Sequence, residues 1–410
     1  MLLQVKSLAE TVEIIRREFK ECVTDVESIS LHDAAGRILA EDATAMEDNP
    51  PFTRSSLDGY AIRASDTFGA GETLPAMLDI AGKISIDEKP GFELKPGQAA
   101  YIPTGGPLPA GADAVAMVEV AETLGGQVFI SADITPGTGV VFQGDDAKAG
   151  GVVLKAGQKL TERHIGALAA LGYENLKVKR RARCAVISTG DELLPIGAAL
   201  NESGKAGVRD VNSHLLRAQA EAFGCEVKAY GICRDDEGEL SAAVQKACGE
   251  CDAVILSGGS SAGVMDLTKQ VFQRAAGADI LAHGVAIKPG KPTILAKAGE
   301  KALLGLPGHP VSAFFVMIAV ALPVLNALRG LADEAQPFII ARLADKIPSN
   351  NGREDFVPVW LSGAGDDMTA HAVRYKSGLI TLLSKSDGYT RISRLAEGLD
   401  PGSEVRVYRY

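Results

Sequence analysis

Three short turns hold the residue types best suited to chemistry. They are Ser188-Thr189-Gly190-Asp191-Glu192, then Ser257-Gly258-Gly259-Ser260-Ser261-Ala262-Gly263 with Asp266 just beyond, and Leu306-Pro307-Gly308-His309-Pro310. Each follows an apolar run and precedes a polar-periodic one, so each reads as a strand-to-helix connection. Glycine lets the backbone come close to a ligand. A helix N-terminus adds unpaired N–H groups and the positive end of a dipole, which together favour an anion. Pro310 suits a first helical position, where its missing N–H goes unneeded. One such turn is an ordinary connection; three on one rim of one domain point to an anion site.

Carboxylates crowd the same rim. Asp191 and Glu192 follow the first run, Asp235 and Asp236 the next, and Asp266 lies past the Gly-rich turn. Beside a phosphate they would repel the ligand unless a cation bridges them, as magnesium does through one or two carboxylates and phosphate oxygens. Asp236 reads equally as a solvated helix cap. Lys288 and Lys291, in Lys-Pro-Gly-Lys-Pro, offer compact positive charge to an anion, or are surface lysines of a turn. Gly259-Ser260-Ser261-Ala262-Gly263 also fits the G-x-S-x-G elbow, with Ser261 as nucleophile and His283 or His309 behind it. That hydrolase reading leaves the rim carboxylates and both lysines without a role. Phosphate-loop, dinucleotide and H-E-x-x-H motifs are absent from the sequence. Cys248-x-x-Cys251 has no second pair to complete a zinc site, and reads as thiols of a reduced α/β protein.

The elements that must position these groups form an α/β multidomain pattern. Within residues 181–330, apolar runs at Cys184–Ile187, Val227–Ile232, Ala253–Leu256 and Ala302–Leu304 alternate with helical patterns. That alternation predicts a doubly wound, mostly parallel sheet covered on both faces, with its ligand crevice beyond the strand C-termini. Residues 1–48 together with 141–180 read as a helical or mixed domain, in which Thr161 caps a helix that ends near Gly172. Residues 49–140 read as a β-rich domain, and 337–410 as a small C-terminal β-barrel. The N-terminus has the amphipathic pattern of a helix over Leu8 to Phe19 rather than that of a signal peptide, which predicts a cytoplasmic protein. Val311 to Leu328 carries no charge and imitates a membrane span, but Pro310, Pro323 and the strand before it favour a buried helix. A net charge of -10 opposes wholesale nucleic-acid binding. The basic run from Lys177 to Arg183 reads as a solvated strand edge.

One family shares these features in order. The run Pro50-Pro51-Phe52-Thr53-Arg54-Ser55-Ser56-Leu57-Asp58-Gly59-Tyr60-Ala61 resembles a signature of molybdopterin molybdenumtransferases and of the matching domain of gephyrin. Further matches are Pro103-Thr104-Gly105-Gly106, Gly144-Asp145-Asp146, the three turns above, the Lys288–Pro292 run, and Gly352-Arg353-Glu354-Asp355-Phe356. The resemblance implies an elongated homodimer of four-part subunits. It implies that adenylylated molybdopterin and molybdate give molybdenum cofactor and AMP, assisted by Mg2+ or another divalent cation. By position, Asp191, Glu192, Asp235 and Asp266 would organise the cation and the adenylate phosphate, in turns that include Ser188, Thr189, Gly190, Gly258, Gly259 and Ser260. Asp58, joining Glu192, Asp235 and Asp266 as a catalytic residue, and Thr104 would reach in from the partner subunit. Lys288, Lys291, Pro307, Gly308, Pro310, Arg353 and Ser377 would line the molybdate and pterin end.

The resemblance also implies transient contact with molybdopterin adenylyltransferase and with apo-molybdoenzymes. Asp146 reads instead as an acceptor that fixes a loop. Three departures stand out: His309 where many members have asparagine, Gly284 where some have lysine, and Gln143 in place of the usual arginine. A histidine at the oxyanion site predicts pH-sensitive anion binding, since histidine ordinarily titrates near ~6.5; an unchanged pH profile in His309→Asn would remove that expectation. Rival readings are a non-catalytic molybdopterin-binding scaffold, such as gephyrin-like partner recognition would need, and the neighbouring adenylyltransferase. Tungstate, nearly the same in size and charge as molybdate, is not distinguished by sequence.

Overall fold

The computed structural model describes residues 5–198, 207–258, 262–331, 336–373 and 376–410. Gly259, Ser260 and Ser261 lie outside the described residues.

Two helices frame the N-terminal half. In α1 (Leu8–Phe19), Ser7 and Glu10 form a reciprocal capping box, and Leu8, Thr11, Ile15 and Phe19 make one buried stripe. That stripe packs into the core of the α/β unit, among residues such as Cys184, Val324 and Leu328. The helix expected within the mixed domain therefore covers the neighbouring one, because its apolar face finds the larger apolar surface there. The rest of the mixed unit is built on antiparallel pairing of Val26–Ser30 with Asn175–Lys179, which also pairs with Ile38–Leu39. Helix α2 (Glu162–Ala170) begins after Thr161, whose N–H donates to His164 Nδ1 at 3.2 Å. The chain then turns at Gly172 with φ +81°, a value glycine adopts without steric cost.

The β-rich unit is a six-stranded sheet with its own core of Ile62, Leu78, Val128 and Ile130. One strand in from its edge, Gly59 lies so close to the edge strand that a Cβ would stand 2.0 Å from the Ala116 carbonyl oxygen. Glycine is obligatory there, and it fixes the backbone immediately after Asp58.

The α/β unit contains β1 (Arg183–Thr189), α3 (Asn212–Ala222), β2 (Glu226–Cys233), α4 (Glu237–Glu250), β3 (Ala253–Gly258), α5 (Ala262–Ala275), β4 (Asp279–His283), β5 (Ile294–Ala298) and β6 (Lys301–Pro307). Sheet order is β2-β1-β3-β6-β5-β4. The first four strands are parallel, and β5 runs antiparallel to both β6 and β4. Alternation along β1 explains the double cover: Cys184 and Val186 face the core that includes α1 and α3, while Ala185 and Ile187 face α4 and α5.

The apolar segment after β6 forms α6 (Pro310–Val316), a π-helical turn at Met317–Ala321, and α7 (Leu322–Leu328). Pro323 follows the π turn, and its missing N–H removes the helical bond to Ala319. By length and a mean hydropathy of 2.3 this helix is long and apolar enough to cross a membrane. Val311, Phe315, Val316 and Leu325 are instead fully buried against the sheet.

In the C-terminal unit Glu354–Ser362 pairs with both Thr369–Ala372 and Gly388–Ile392, closing five strands into a barrel. A short strand of the preceding unit, Ile287–Lys288, adds in parallel to Glu354–Asp355. Phe356 and Tyr389 continue the α/β core into the barrel. These two units are thus joined by backbone pairing and by a shared apolar core.

Candidate functional site

The strand ends of the α/β sheet carry a buried polar network. Ser188 and Thr189, the last residues of β1, are 0% and 1% exposed. Ser188 Oγ donates to Asp210 Oδ1 at 2.9 Å, and Thr189 Oγ1 donates to Asp235 Oδ1 at 2.6 Å. The Asp235 N–H in turn points to Asp191 Oδ1 at 3.5 Å. Asp191 and Asp235, from the turns after β1 and β2, are thereby set side by side. Gly258 ends β3 where a Cβ would meet Thr189 Cγ2 at 2.0 Å, so no side chain fits there. The Glu192 carboxylate folds over Gly190, 2.9 Å from where a Cβ would be.

Of the four carboxylates expected to hold a cation, Asp191 and Asp235 are the two that a hydrogen bond brings together. Among the described residues, no group of three or more His, Cys, Asp and Glu side chains could hold a metal ion. Asp266 leaves the group because α5 carries it toward the β4 edge. There its charge acts on His283, whose basicity is lowered by burial and by Lys269 and partly restored by Asp266. Asp236 is a helix cap, accepting from Glu239 N at 2.9 Å.

The opposite end of the site is a cavity of about 800 Å³ between the α/β unit and the barrel. Lys288, Lys291, Ser312, Arg353, Asp355 and Ser377 line it. Gly290 has φ +117°, and a Cβ there would stand 2.5 Å from Val316 Cγ2, which explains the glycine between the two lysines. Ser377 ties the cavity to the turn after β6: its Oγ lies 3.0 Å from His309 Nδ1, and its carbonyl accepts from Val311 N at 3.1 Å. Pro310 opens α6 beside this contact. Lys288, Lys291, Arg353 and Ser377 thus come together, with Pro307, Gly308 and Pro310 in the adjoining turn.

Asp58 and Thr104 are joined to each other within the β-rich unit. Asp58 Oδ1 accepts from the Thr104 N–H at 2.7 Å and from its hydroxyl at 3.0 Å. These donors, the backbone one first, hold the Asp58 carboxyl below the usual carboxylate range. Both residues are exposed. Asp146 accepts from Asn49 Nδ2 at 2.7 Å, the loop-fixing arrangement.

Asn212, Ser312 and Asp355 are site residues to which sequence reasoning assigned no role. Asn212, 8% exposed, donates from Nδ2 to Ser257 Oγ at 2.8 Å and to the Gly308 carbonyl at 2.9 Å. It links the end of β3 to the turn after β6 and leaves its Oδ1 buried without a partner. The signal available was a polar pair, Asp210 and Asn212, where α3 begins. Asp355 stands in the Gly352–Phe356 run two residues after Arg353, and nothing local marks it for a role.

Comparison with known proteins agrees with this architecture. Residues 6–172 match the MoeA N-terminal region (domain I and II), 185–327 a probable molybdopterin binding domain, and 340–410 the MoeA C-terminal region (domain IV). A putative molybdopterin biosynthesis protein of Methanocaldococcus jannaschii is 33% identical over 99% of this chain and 98% of its own length. A molybdopterin molybdenumtransferase of Bacillus subtilis is 32% identical over 93% of this chain and 89% of its own. The crystal structure of a molybdopterin biosynthesis MoeA protein from Pyrococcus horikoshii superposes with a TM-score of 0.83 at 31% identity, covering 99% of this chain and 100% of that one. Matched along nearly its whole length, in sequence and in fold, the chain belongs to the molybdopterin molybdenumtransferase (MoeA) family.

Proposed function

We propose that this protein inserts molybdenum from molybdate into adenylylated molybdopterin, releasing AMP. The observation that carries the reading is the cavity where Lys288, Lys291 and Arg353 converge with the hydroxyls of Ser312 and Ser377. Molybdate is a tetrahedral dianion, and fixed cations with hydroxyl donors suit it. The adenylate phosphate is assigned to the strand ends of the α/β sheet, where N–H groups that open a helix would donate to an anion. Asn212 ties the end of β3 to the turn containing Gly308, and that turn meets the cavity wall through His309 and Ser377.

A divalent cation would be held by the carboxylates of Asp191 and Asp235, residues that the Asp235 N–H brings together. Bound there beside Glu192, it would neutralise charge on the leaving phosphate. Thr189 orients Asp235, and Lys288 and Arg353 hold the oxyanion for transfer. The active assembly is a homodimer in which Asp58 and Thr104 of the β-rich unit face the partner's α/β unit; two exposed residues locked to each other suit such an intersubunit role. We place the enzyme in the cytoplasm, receiving its pterin from the adenylyltransferase and passing cofactor to apo-molybdoenzymes.

The test is reconstitution from purified protein, adenylylated molybdopterin, magnesium and micromolar molybdate, following AMP release and activation of an apo-molybdoenzyme. AMP release should require molybdate and fall about tenfold or more in Glu192→Gln. Tight pterin binding with no AMP release would replace the transferase reading with that of a scaffold, and consumption of ATP would favour adenylylation.

A further inference from the structure

One group in the cavity wall opposes the ligand that the cavity suits. Asp355 is 3% exposed. Its Oδ2 accepts from Lys288 Nζ at 2.8 Å and from Ser349 Oγ at 2.9 Å, while Oδ1 is buried with no donor. The pair is set by backbone, since Lys288 and Asp355 are opposite residues on parallel strands. The other carboxylate in the wall, Asp345, is exposed, so solvent and salt screen it. Asp355 lies where screening is weak, and two donors on one oxygen leave its charge incompletely answered.

We infer that Asp355 is a positioning residue of the oxyanion cavity, fixing the Lys288 ammonium in the wall and weakening the hold on a bound dianion. This rests on the transferase reading and deepens it. A metal oxyanion that must leave its cavity for an acceptor gains nothing from a deep ground state, because only interactions stronger in the transition state speed transfer. Position is the other half of the role. The Lys288 side chain is 42% exposed, and without its partner it would explore many rotamers.

The two effects have opposite signs in one variant. Asp355→Asn keeps the shape of the side chain and removes its charge. Molybdate alone, titrated into the purified full-length protein by calorimetry, should bind about fivefold more tightly. In the reconstituted reaction KM for molybdate should fall while kcat drops about tenfold, since an unanchored Lys288 misplaces its ligand. A purely structural residue would weaken binding and raise KM. If Asp355→Asn does not fold, Ser349→Ala reads the same effect: stripping a donor from the carboxylate should weaken molybdate binding about twofold, and unchanged or tighter binding overturns the inference. Molybdate that binds the wild type but binds Asp355→Asn no more tightly overturns it too. Molybdate that does not bind the wild type at all removes the transferase reading, and this inference with it.

Discussion

Lys288→Met is expected to lower molybdate-dependent turnover by a hundredfold or more, roughly, and to cost about 2 kcal/mol of stability. Two losses combine. The cavity loses a cation, and the Asp355 carboxylate behind it, buried and left with Ser349 as its donor, now repels the oxyanion directly. Breaking one side of a buried pair is costly because the remaining charge stays desolvated. The cost falls at the lower end because the lysine side chain is 42% exposed, so water answers part of its charge. Lys288→Arg separates the terms: a guanidinium can still pair with Asp355 and should restore most of the stability, yet its planar fork presents different donors and should leave turnover well below wild type. Urea unfolding and molybdate calorimetry on both variants check this. Unchanged molybdate affinity in Lys288→Met would show that the cavity is not the oxyanion site.

Asn212→Leu should cost about 3 kcal/mol and raise KM for molybdate and pterin together. Leucine matches the side chain in size but offers no donor, so the Gly308 carbonyl and the hydroxyl of Ser257, itself 2% exposed, lose the group that joins them. Ser257 lies at the end of β3, on the side proposed for the phosphate, and Gly308 lies in the turn after β6, on the side proposed for the oxyanion. A change that unlinks them should be felt by both substrates, unlike a change in the cavity alone. Asn212→Asp provides the control for volume: it is nearly isosteric but aims an acceptor at the Gly308 carbonyl, and should be no better than leucine. Stability of Asn212→Leu within about 0.5 kcal/mol of wild type would show that the linkage carries nothing.

Much of this site is legible in the sequence. Pro310 at a helix start, glycines at strand ends and the lysine pair around Pro289-Gly290 each follow from local backbone chemistry, and local chemistry is written in neighbouring residues. The alternation of apolar runs and helical patterns over 181–330 likewise predicted a sheet with two covered faces. Strand direction at the sheet edge was not legible. Asp279–His283 and Ile294–Ala298 are short apolar runs whose pattern is the same for a parallel or antiparallel neighbour. The placement of α1 escaped for a related reason: periodicity shows which face of a helix is apolar, and says nothing of which domain supplies the matching surface.

The carboxylates show the same division. Asp191, Glu192 and Asp235 each lie just beyond a strand, whereas Asp266 lies within the helix that follows β3. Helix direction and strand order separate them in space, pairing Asp191 with Asp235 and sending Asp266 toward His283. By itself the sequence determined the residue types of the proposed anion site, the double-sided sheet beneath them and the family to which their order corresponds. The tertiary structure alone decided which charges meet. Asp355 reaches Lys288 from 67 residues away, and Asn212 reaches Gly308 from 96, because strand pairing and packing act across space where sequence periodicity has no record.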